Sequence, residues 1–476
     1  MDLKNMGKTL RITLGLIVMA ELLSWLGQSF ELLQTIVYFL ILLTALILTL
    51  TKIDYGFYFL LTEIFIGGFG YLFTFQGISI RIGIFAIFVL ASLIKIISQN
   101  RLELKIFVKK IETIKIFFIF ALIFFSAGLL GLINNGLKNT FFDANAWLYF
   151  LILPILCFLL NNKKAIQNIL AILIASTLWL SLKTIFLLYI FSHGLAQIGD
   201  LTYRWVRSTG VGEITYMSDS MFRIFLQSQI FCLMAFLFFS AIWLKGWRPK
   251  SFIEKIFFAI YSYLILLCLL ISQSRSFWLG GLTALLAIVI ILIWQKSINY
   301  KKLVLFFVVL CLTIFSQLAF TRILTGAIFN NRLNNLASEP AGASRLNELK
   351  PLSKAIIQSP IFGYGFGKTL TYQSQDPRIL KNNPDGLYTT YAFEWGYFDI
   401  WLKLGLIGLS LYLMFILLTI NQGINSADYI KFGLAAGLIG LVFVNVFTPY
   451  LNHPLGIIYL LITQKIITTN VLPEKS

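Results

Sequence analysis

The chain has 476 residues, of which 58% are hydrophobic and 12% are charged, and its formal net charge is +18. Apolar runs of about 20 residues recur along its whole length, and the core of a soluble protein could not bury so many of them. The runs lack the strict alternation of a β-barrel, and a backbone in hydrocarbon must satisfy its own hydrogen bonds, so an all-α polytopic membrane protein is predicted.

The apolar runs predict about 14 transmembrane helices. The run at 55–75 contains the glycine-rich stretch FIGGFGYLF, which indicates a bent or re-entrant segment. We expect residues 1–200 to form an N-terminal group of transmembrane helices. Residues 201–476 should form a transmembrane core that includes a large extracytoplasmic loop, 322–396. In chain order the predicted spans are 10–28, 32–51, 55–75, 78–98, 114–133, 144–160, 165–192, 221–244, 256–273, 276–295, 303–321, 397–420, 428–447 and 454–470.

The basic residues indicate how these spans are oriented. With the N-terminus inside and the spans alternating, the inner segments hold 22 lysines and arginines, whereas the outer segments apart from the loop 322–396 hold 6. Cytoplasmic loops carry the excess of Lys and Arg, so both termini are predicted to be cytoplasmic. The positive charge is thereby explained without a nucleic-acid partner.

Two long segments fall on the predicted outer side, 193–220 and 322–396. Long loops on a rigid scaffold often carry function, so we expect the functional residues there. A short amphipathic helix, bent or started at Pro351, is predicted from apolar residues at helical spacing: Leu346, Leu349, Leu352 and Ile356.

Arginine and lysine are distributed unequally between the two sides. The inner side has 3 arginines and 19 lysines, whereas the outer side, with the long loop, has 5 lysines and 9 arginines. The outer arginines are Arg81, Arg204, Arg207, Arg223, Arg275, Arg322, Arg332, Arg345 and Arg378. Orientation requires only positive charge, but arginine adds a planar fork of donors that matches phosphate and carboxylate. The outer arginines therefore predict a cavity for an anionic, phosphorylated ligand. The alternative is that they pair with lipid headgroups or with nearby acids.

Arg275 is the only formally charged residue in the stretch from Ile256 to Gln295, and it lies within the sequence SQSRSFWLGG. Forty residues suit two spans, so Arg275 is predicted to lie at a turn on the membrane surface. No acid is near it in sequence, which favours a ligand over a structural ion pair.

Acidic residues cluster where the long loop enters the next span. Glu394 lies between Phe393 and Trp395, and an acid in this setting suits a general base, although a carboxylate at a helix N-terminus is an equal alternative. Asp399 and Lys403, four residues apart inside the span, predict a structural ion pair.

Four blocks together resemble the O-antigen ligase/O-antigen polymerase (Wzy-type) superfamily of bacterial membrane glycosyltransferases. They are SQSRSFWLGG, SRLNELKPLSKAIIQSPIFGYGFG, FEWGYFDIWLKLGLIGL and NHPLG, and their order and spacing extend the resemblance from about residue 200 to about residue 455.

The resemblance implies that Arg275 and Arg345 hold the diphosphate of an undecaprenyl-linked donor glycan. Ligases of the family carry a histidine after the large loop, where this chain has Glu394 as the nearest ionisable residue, and this difference favours a polymerase. Glu394 is then the predicted base. Predicted substrate contacts are Arg204, Arg207, Arg223, Tyr364 and Tyr391.

The predicted function is therefore polymerisation of surface-polysaccharide repeat units, without a metal or other cofactor. The expected setting is a bacterial inner membrane, with the active site facing the periplasm. Expected partners are undecaprenyl-diphosphate-linked oligosaccharides, membrane lipid and, as a further candidate, a chain-length regulator. The alternatives are a ligase that transfers the glycan to lipid A core or protein, and a lipid-linked oligosaccharide flippase.

Overall fold

The structure is a computed structural model that describes residues 3–98, 115–218, 220–326 and 340–469. The predicted outer arginine Arg332 lies outside the described residues. The α-helices of the described residues are α1 Leu3–Gly27, α2 Glu31–Thr51, α3 Ile53–Ile66, α4 Ile80–Ser98, α5 Lys115–Ala144, α6 Ile152–Leu156, α7 Lys163–Ser192, α8 Ala196–Ser208, α9 Ile230–Lys245, α10 Phe252–Ser272, α11 Arg275–Trp294, α12 Tyr300–Thr325, α13 Pro340–Gln358, α14 Pro377–Asn382, α15 Gly396–Ile424, α16 Tyr429–Val444 and α17 Pro454–Thr468.

Three short antiparallel hairpins complete the fold. They are β1 Thr74–Phe75 with β2 Ile78–Ser79, β3 Gly212–Ser218 with β4 Met221–Leu226, and β5 Leu370–Gln373 with β6 Leu387–Thr390. All three lie in connections between helices, where they close loops and do not form a membrane-spanning sheet.

Ten helical segments of the described chain are long and apolar enough to cross a membrane, and α16 and α17 are shorter apolar helices. The prediction of an all-α polytopic membrane protein is confirmed. The predicted span at 55–75 is shorter than expected, because α3 ends at Ile66 and a glycine-rich turn and the first hairpin follow. The predicted span at 144–160 is not a separate α-helix. It consists of a 3₁₀ helix, Asn145–Leu151, and the short helix α6, which together end the long helical segment Ala121–Leu156.

Helix α9 forms the centre of the bundle. Fourteen of its sixteen residues are buried, and it packs against α16, α10 and α11. Gly433 and Gly440 of α16 face α9, where an added Cβ would lie 2.6 Å from Phe238 and 2.2 Å from Leu237. Small residues allow close helix contact in a membrane, where association depends on van der Waals packing. Helix α9 is thus largely buried in protein, whereas α1 and α2 expose much of their surface.

The connections form two distinct ends of the bundle. At one end, Lys95 donates to the carbonyl oxygen of Leu50 (2.5 Å), and Lys245 donates to that of Ser426 (2.5 Å). At the other end, the amide of Phe69 donates to Gly210 (3.1 Å). The loops predicted to be outside meet at this second end, and most of the outer arginines lie there.

Candidate active site

The predicted turn arginine, Arg275, lies where α10 ends and α11 begins. The chain reverses through Gln273, whose left-handed backbone (φ 46°) ends α10, and α11 starts at Arg275. A helix N-terminus carries partial positive charge, so Arg275 adds a full charge where the backbone already attracts anions. The turn therefore favours an anionic ligand on two counts.

The turn packs against the hairpin formed by β3 and β4. Arg223, on β4, donates from Nε to the carbonyl oxygen of Ser272 (3.1 Å), and its guanidinium lies 4.8 Å from the ring centroid of Phe225. Phe277, a buried residue in the first turn of α11, contacts the same ring at 5.7 Å between centroids. Arg223 is thus brought to the turn that carries Arg275.

The other two arginines predicted to contact substrate lie on α8. Arg207 pairs through Nη1 with Oε1 of Glu213 (3.0 Å), and both side chains are partly exposed. Arg204 is exposed and donates from Nε to the carbonyl oxygen of Asp200 on its own helix (3.4 Å). Exposed contacts of this kind are weak. Both guanidinium groups can therefore exchange these contacts for a ligand, and their role in substrate binding stays a prediction.

The loop arginine, Arg345, and the candidate base, Glu394, form an ion pair between Nε and Oε2. Their side chains are 38% and 48% exposed. The indole of Trp395 donates to the carbonyl oxygen of Arg345 (2.9 Å), which holds the segment before α15 against α13. An ion pair this exposed adds little stability, so an anionic ligand can compete with Glu394 for Arg345.

A second carboxylate, Glu348, lies beneath this pair. Its Oε1 accepts the backbone amide of Glu394 (3.0 Å), and the residue is 1% exposed. Its Oε2 is buried and accepts no hydrogen bond from the part of the chain that the structure describes. Burial raises the pKa of Glu348 to about 8. At neutral pH this carboxyl group is therefore largely protonated and available as a proton donor.

Helix α13 differs in two ways from the predicted amphipathic helix. It begins at Pro340 and continues through Pro351, which therefore neither starts nor ends it. Its buried face carries Ser344, Glu348 and Leu352, whereas Leu346 is 59% exposed. The helix is amphipathic as expected, but its buried face includes the polar residues that support the site.

A glycine-rich loop, 360–367, joins α13 to the membrane helices. Helix α15 is broken at Gly405 (φ 67°), and the freed carbonyl oxygens of Leu402 and Lys403 accept the amides of Tyr364 (2.9 Å) and Gly365 (3.1 Å). An added Cβ at Gly365 (φ 75°) would lie 2.4 Å from the amide nitrogen of Gly131 on α5. The glycines thus let the loop approach helix backbone and satisfy it, as the hydrocarbon requires.

Tyr364, predicted as a substrate contact, extends from this loop. Its hydroxyl donates to Oε1 of Gln358 (3.3 Å), and the Nζ of Lys368 lies 4.5 Å from its ring centroid. The ring is half-buried. Its role in binding substrate stays a prediction.

The segment 445–453, between α16 and α17, connects the two arginine sites. The hydroxyl of Thr448 donates to that of Ser276 (3.0 Å), next to Arg275. The ring of the preceding residue, Phe447, lies 5.7 Å from that of Trp395, whose indole binds the Arg345 backbone. Two consecutive residues of one segment therefore contact the neighbours of both arginines.

Tyr391 lines a cavity of about 410 Å³ between the two halves of the chain. One wall is a buried charge cluster in which Lys403 Nζ pairs with Asp143 (2.5 Å) and Asp399 (2.6 Å). The predicted pair of Asp399 and Lys403 is confirmed, and Asp143 of α5 is a partner that the sequence did not reveal. Asn452 completes the cluster, because its amide donates to Asp399 Oδ2.

Arg81, another outer arginine, also lines this cavity. It forms a buried ion pair with Glu63 through two hydrogen bonds (2.7 and 3.1 Å), and its Nη1 donates to the carbonyl oxygen of Gly68 (2.6 Å). Its guanidinium group donates three hydrogen bonds within the protein. Arg81 therefore fits the alternative in which an outer arginine pairs with a nearby acid.

Comparison with known proteins gives two matches. Residues 260–413 match the protein-family model described as O-Antigen ligase. A stretch of 150 residues is 26% identical to the ComP-specific O-oligosaccharyltransferase of Acinetobacter baylyi (strain ATCC 33305 / BD413 / ADP1). This stretch is 30% of the present chain and 25% of that protein, so the match spans about a quarter of the relative's length. Both Arg275 and Arg345, with Glu348 and Glu394, lie within the residues that match the family model.

Proposed function

We propose that this protein transfers a glycan from a polyprenyl diphosphate carrier to a hydroxyl group of an acceptor, at the arginine-rich end of the bundle. The observation that carries the proposal is the exposed ion pair of Arg345 and Glu394, supported on the buried carboxyl of Glu348. The match of residues 260–413 to the O-Antigen ligase model supports the same reaction class.

In the proposed reaction the acceptor oxygen attacks the anomeric carbon of the donor sugar. The bond between that carbon and the phosphate oxygen breaks, and the diphosphate leaves with the electron pair. Arg275 and Arg345 stabilise the negative charge that develops on it, a preorganised electrostatic role. Because guanidinium groups supply this positive charge, the mechanism requires no metal ion or other cofactor.

Glu394 accepts the proton from the acceptor hydroxyl. In the resting site its carboxylate is held by Arg345. When the donor diphosphate takes over Arg345, Glu394 loses its partner and becomes free to act as the base. Donor binding thereby prepares the base, which reduces proton abstraction before both substrates are present.

The remaining predicted residues serve substrate binding in this proposal. Arg223, which contacts the turn of Arg275, would hold a phosphate of the second lipid-linked substrate, and Arg204 and Arg207 would attract it to the site. The rings of Tyr364 and Tyr391 would contact sugar. The site would face the periplasm across a bacterial inner membrane with both termini in the cytoplasm, as the excess of basic residues at the opposite end favours.

Two acceptors are consistent with this chemistry. A polymerase would use the sugar hydroxyl of another undecaprenyl-diphosphate-linked repeat unit, and a chain-length regulator would then be a further partner. A ligase would use lipid A core or a protein. The family model is described as O-Antigen ligase and the relative is named a ComP-specific O-oligosaccharyltransferase, and these descriptions support glycan transfer with either acceptor.

An assay with purified protein in liposomes tests both acceptors. The liposomes receive undecaprenyl-diphosphate-linked repeat units either alone or together with lipid A core or an acceptor protein. Longer lipid-linked glycans would identify a polymerase, and glycan on an added acceptor would identify a ligase. Movement of the lipid-linked substrate across the bilayer with no new glycosidic bond would identify a flippase and overturn the proposal.

A further inference from the structure

The cavity of about 410 Å³ has a size typical of small-molecule sites, which span roughly 300–1,000 Å³. Residues 391–393 form part of its wall, and Glu394, the next residue, pairs with Arg345. The cavity therefore adjoins the candidate base through one short stretch of backbone. A ligand in it would lie beside the ion pair without occupying it.

The charges of the cavity do not suit a phosphate. Its two cationic side chains are Arg81, which is paired with Glu63, and Lys403, which is paired with two aspartates, Asp143 and Asp399. The described surroundings therefore hold three carboxylates and two cations, so an entering anion would meet a net negative charge. A ligand that is uncharged and rich in hydroxyl groups fits this balance, because carboxylate and amide oxygens accept hydroxyl protons.

Aromatic rings dominate the remaining wall. Eight phenylalanines and tyrosines line the cavity, among them Phe142 and Tyr391. Burial raises the pKa of Tyr391, so its hydroxyl is neutral and can both donate and accept a hydrogen bond. Apolar rings with a few placed polar groups are the usual lining of a specific small-molecule site, and a sugar offers an apolar C–H face together with hydroxyl groups.

Asn452 supplies an acceptor that the protein does not use. Its amide nitrogen donates to Asp399, whereas its Oδ1 is buried and accepts no hydrogen bond from any residue that the structure describes. A buried polar atom left in this way costs free energy until it gains a partner. Because Asn452 lines the cavity, a ligand hydroxyl group can be that partner once the side chain turns this oxygen towards the cavity.

We propose that this cavity binds one uncharged sugar unit of the lipid-linked glycan, with aromatic rings against its C–H face and Asn452 Oδ1 accepting one of its hydroxyl groups. The inference rests on the proposed function, because glycan transfer at Glu394 gives a sugar site its use. It adds a division of labour in which the arginines bind diphosphate and the cavity binds sugar.

The test measures sugar binding by the full chain in lipid nanodiscs, using saturation-transfer NMR with glucose, galactose and N-acetylglucosamine. Tyr391→Ala and Asn452→Leu should each weaken sugar binding and raise the dissociation constant about tenfold or more. Phe142→Ala, which removes a half-exposed ring, gives a third variant that leaves the buried core intact. Tyr388→Ala, three residues from Tyr391 and outside the cavity lining, is the matched control and should bind normally.

Inorganic pyrophosphate distinguishes the two subsites. It should leave sugar binding by the wild type unchanged, and Arg345→Ala should bind sugar as the wild type does. The proposal is overturned if none of the three sugars binds, if binding survives all three cavity variants, or if pyrophosphate displaces the sugar. Cavity-dependent sugar binding without any glycan transfer would instead reject the transferase and keep the sugar site.

Discussion

At the scale of single residues, the candidate site combines exposed charges with a buried carboxyl group. Arg345 and Glu394 are half-exposed and weakly held, whereas Glu348 is buried and bound to the backbone of Glu394. Exposed charges can exchange partners with a ligand, whereas the buried, hydrogen-bonded carboxyl group fixes the geometry around them. The site is therefore polar at its surface and rigid beneath.

Replacement of either arginine that we propose to bind diphosphate tests the electrostatic role. Arg275→Ala and Arg345→Ala should each lower kcat/KM for glycan transfer by about 10²–10³-fold, the usual effect of losing one charge-stabilising donor. Arg345→Lys is the matched control, because it keeps the charge but loses the fork, and its activity should be intermediate. Full activity of an alanine variant that is folded in the membrane would remove that arginine from the mechanism.

Replacement of the candidate base separates chemistry from binding. Glu394→Gln keeps the size of the side chain but cannot accept the proton, so kcat should fall by about 10²–10⁴-fold while KM changes little. Glu213→Gln, which alters an exposed partner of Arg207, serves as the control for loss of an ion pair. An unchanged kcat in Glu394→Gln would show that Glu394 is not the base and that its role is limited to the ion pair with Arg345.

The buried carboxyl of Glu348 makes stability depend on pH. Its pKa rises from 4.5 to about 8 on folding, so the folded state retains a proton that the unfolded state releases. The contribution of Glu348 to stability should therefore be fully present below pH 4.5 and should be lost as pH rises towards 8, by at most about 1.4 kcal/mol per pH unit. Hydrogen exchange of α13 measures this, and Glu348→Gln should flatten the profile. If Glu348→Gln leaves the dependence of stability on pH unchanged, another titratable group causes that dependence.

At the scale of elements, broken helices bring the site together. Helix α15 is interrupted at Gly405, and the glycine-rich loop binds the carbonyl oxygens that this break frees. The loop glycines can be read from the sequence, but their approach to helix backbone cannot. A local pattern shows that a turn is possible, whereas the partner of the turn is more than 200 residues away in α5.

A methyl group in this loop tests the arrangement. Gly365→Ala would force a side chain into positive φ and to within 2.4 Å of the Gly131 amide, so it should destabilise the protein by more than about 1 kcal/mol. Thermal unfolding in detergent should show a lower Tm and lower activity. Gly77→Ala, at a positive-φ turn with open space around it, is the control that separates backbone strain from the clash. Equal losses in both variants would argue against close packing as the cause.

At the scale of the whole molecule, the loops sort into a lysine-rich end and an arginine-rich end. The first end holds Lys95 and Lys245 with their carbonyl partners, and the second holds the hairpins, the turn of Arg275 and helix α13. This separation agrees with the sorting of segments by basic residues. Which end faces the cytoplasm follows from the positive-inside rule and stays a prediction.

Cysteine labelling tests the orientation. In a Cys311→Ser background the three remaining cysteines are buried. Asp385→Cys, at the exposed arginine-rich end, should react in intact cells with a thiol reagent that does not cross the inner membrane. Lys250→Cys, at the opposite end, should react only after the membrane is opened. The reverse pattern would invert the topology and contradict a periplasmic site.

The sequence alone determined the membrane class, most of the spans and the excess of arginine at one end, because composition, hydropathy and charge are properties of local stretches. Only the tertiary structure decided that Glu394 pairs with Arg345, that Glu348 supports them, and that Asp143 joins Lys403 across 260 residues to wall a cavity. Such contacts depend on how helices pack in three dimensions, and no periodicity along the chain records which distant side chains will share a buried site.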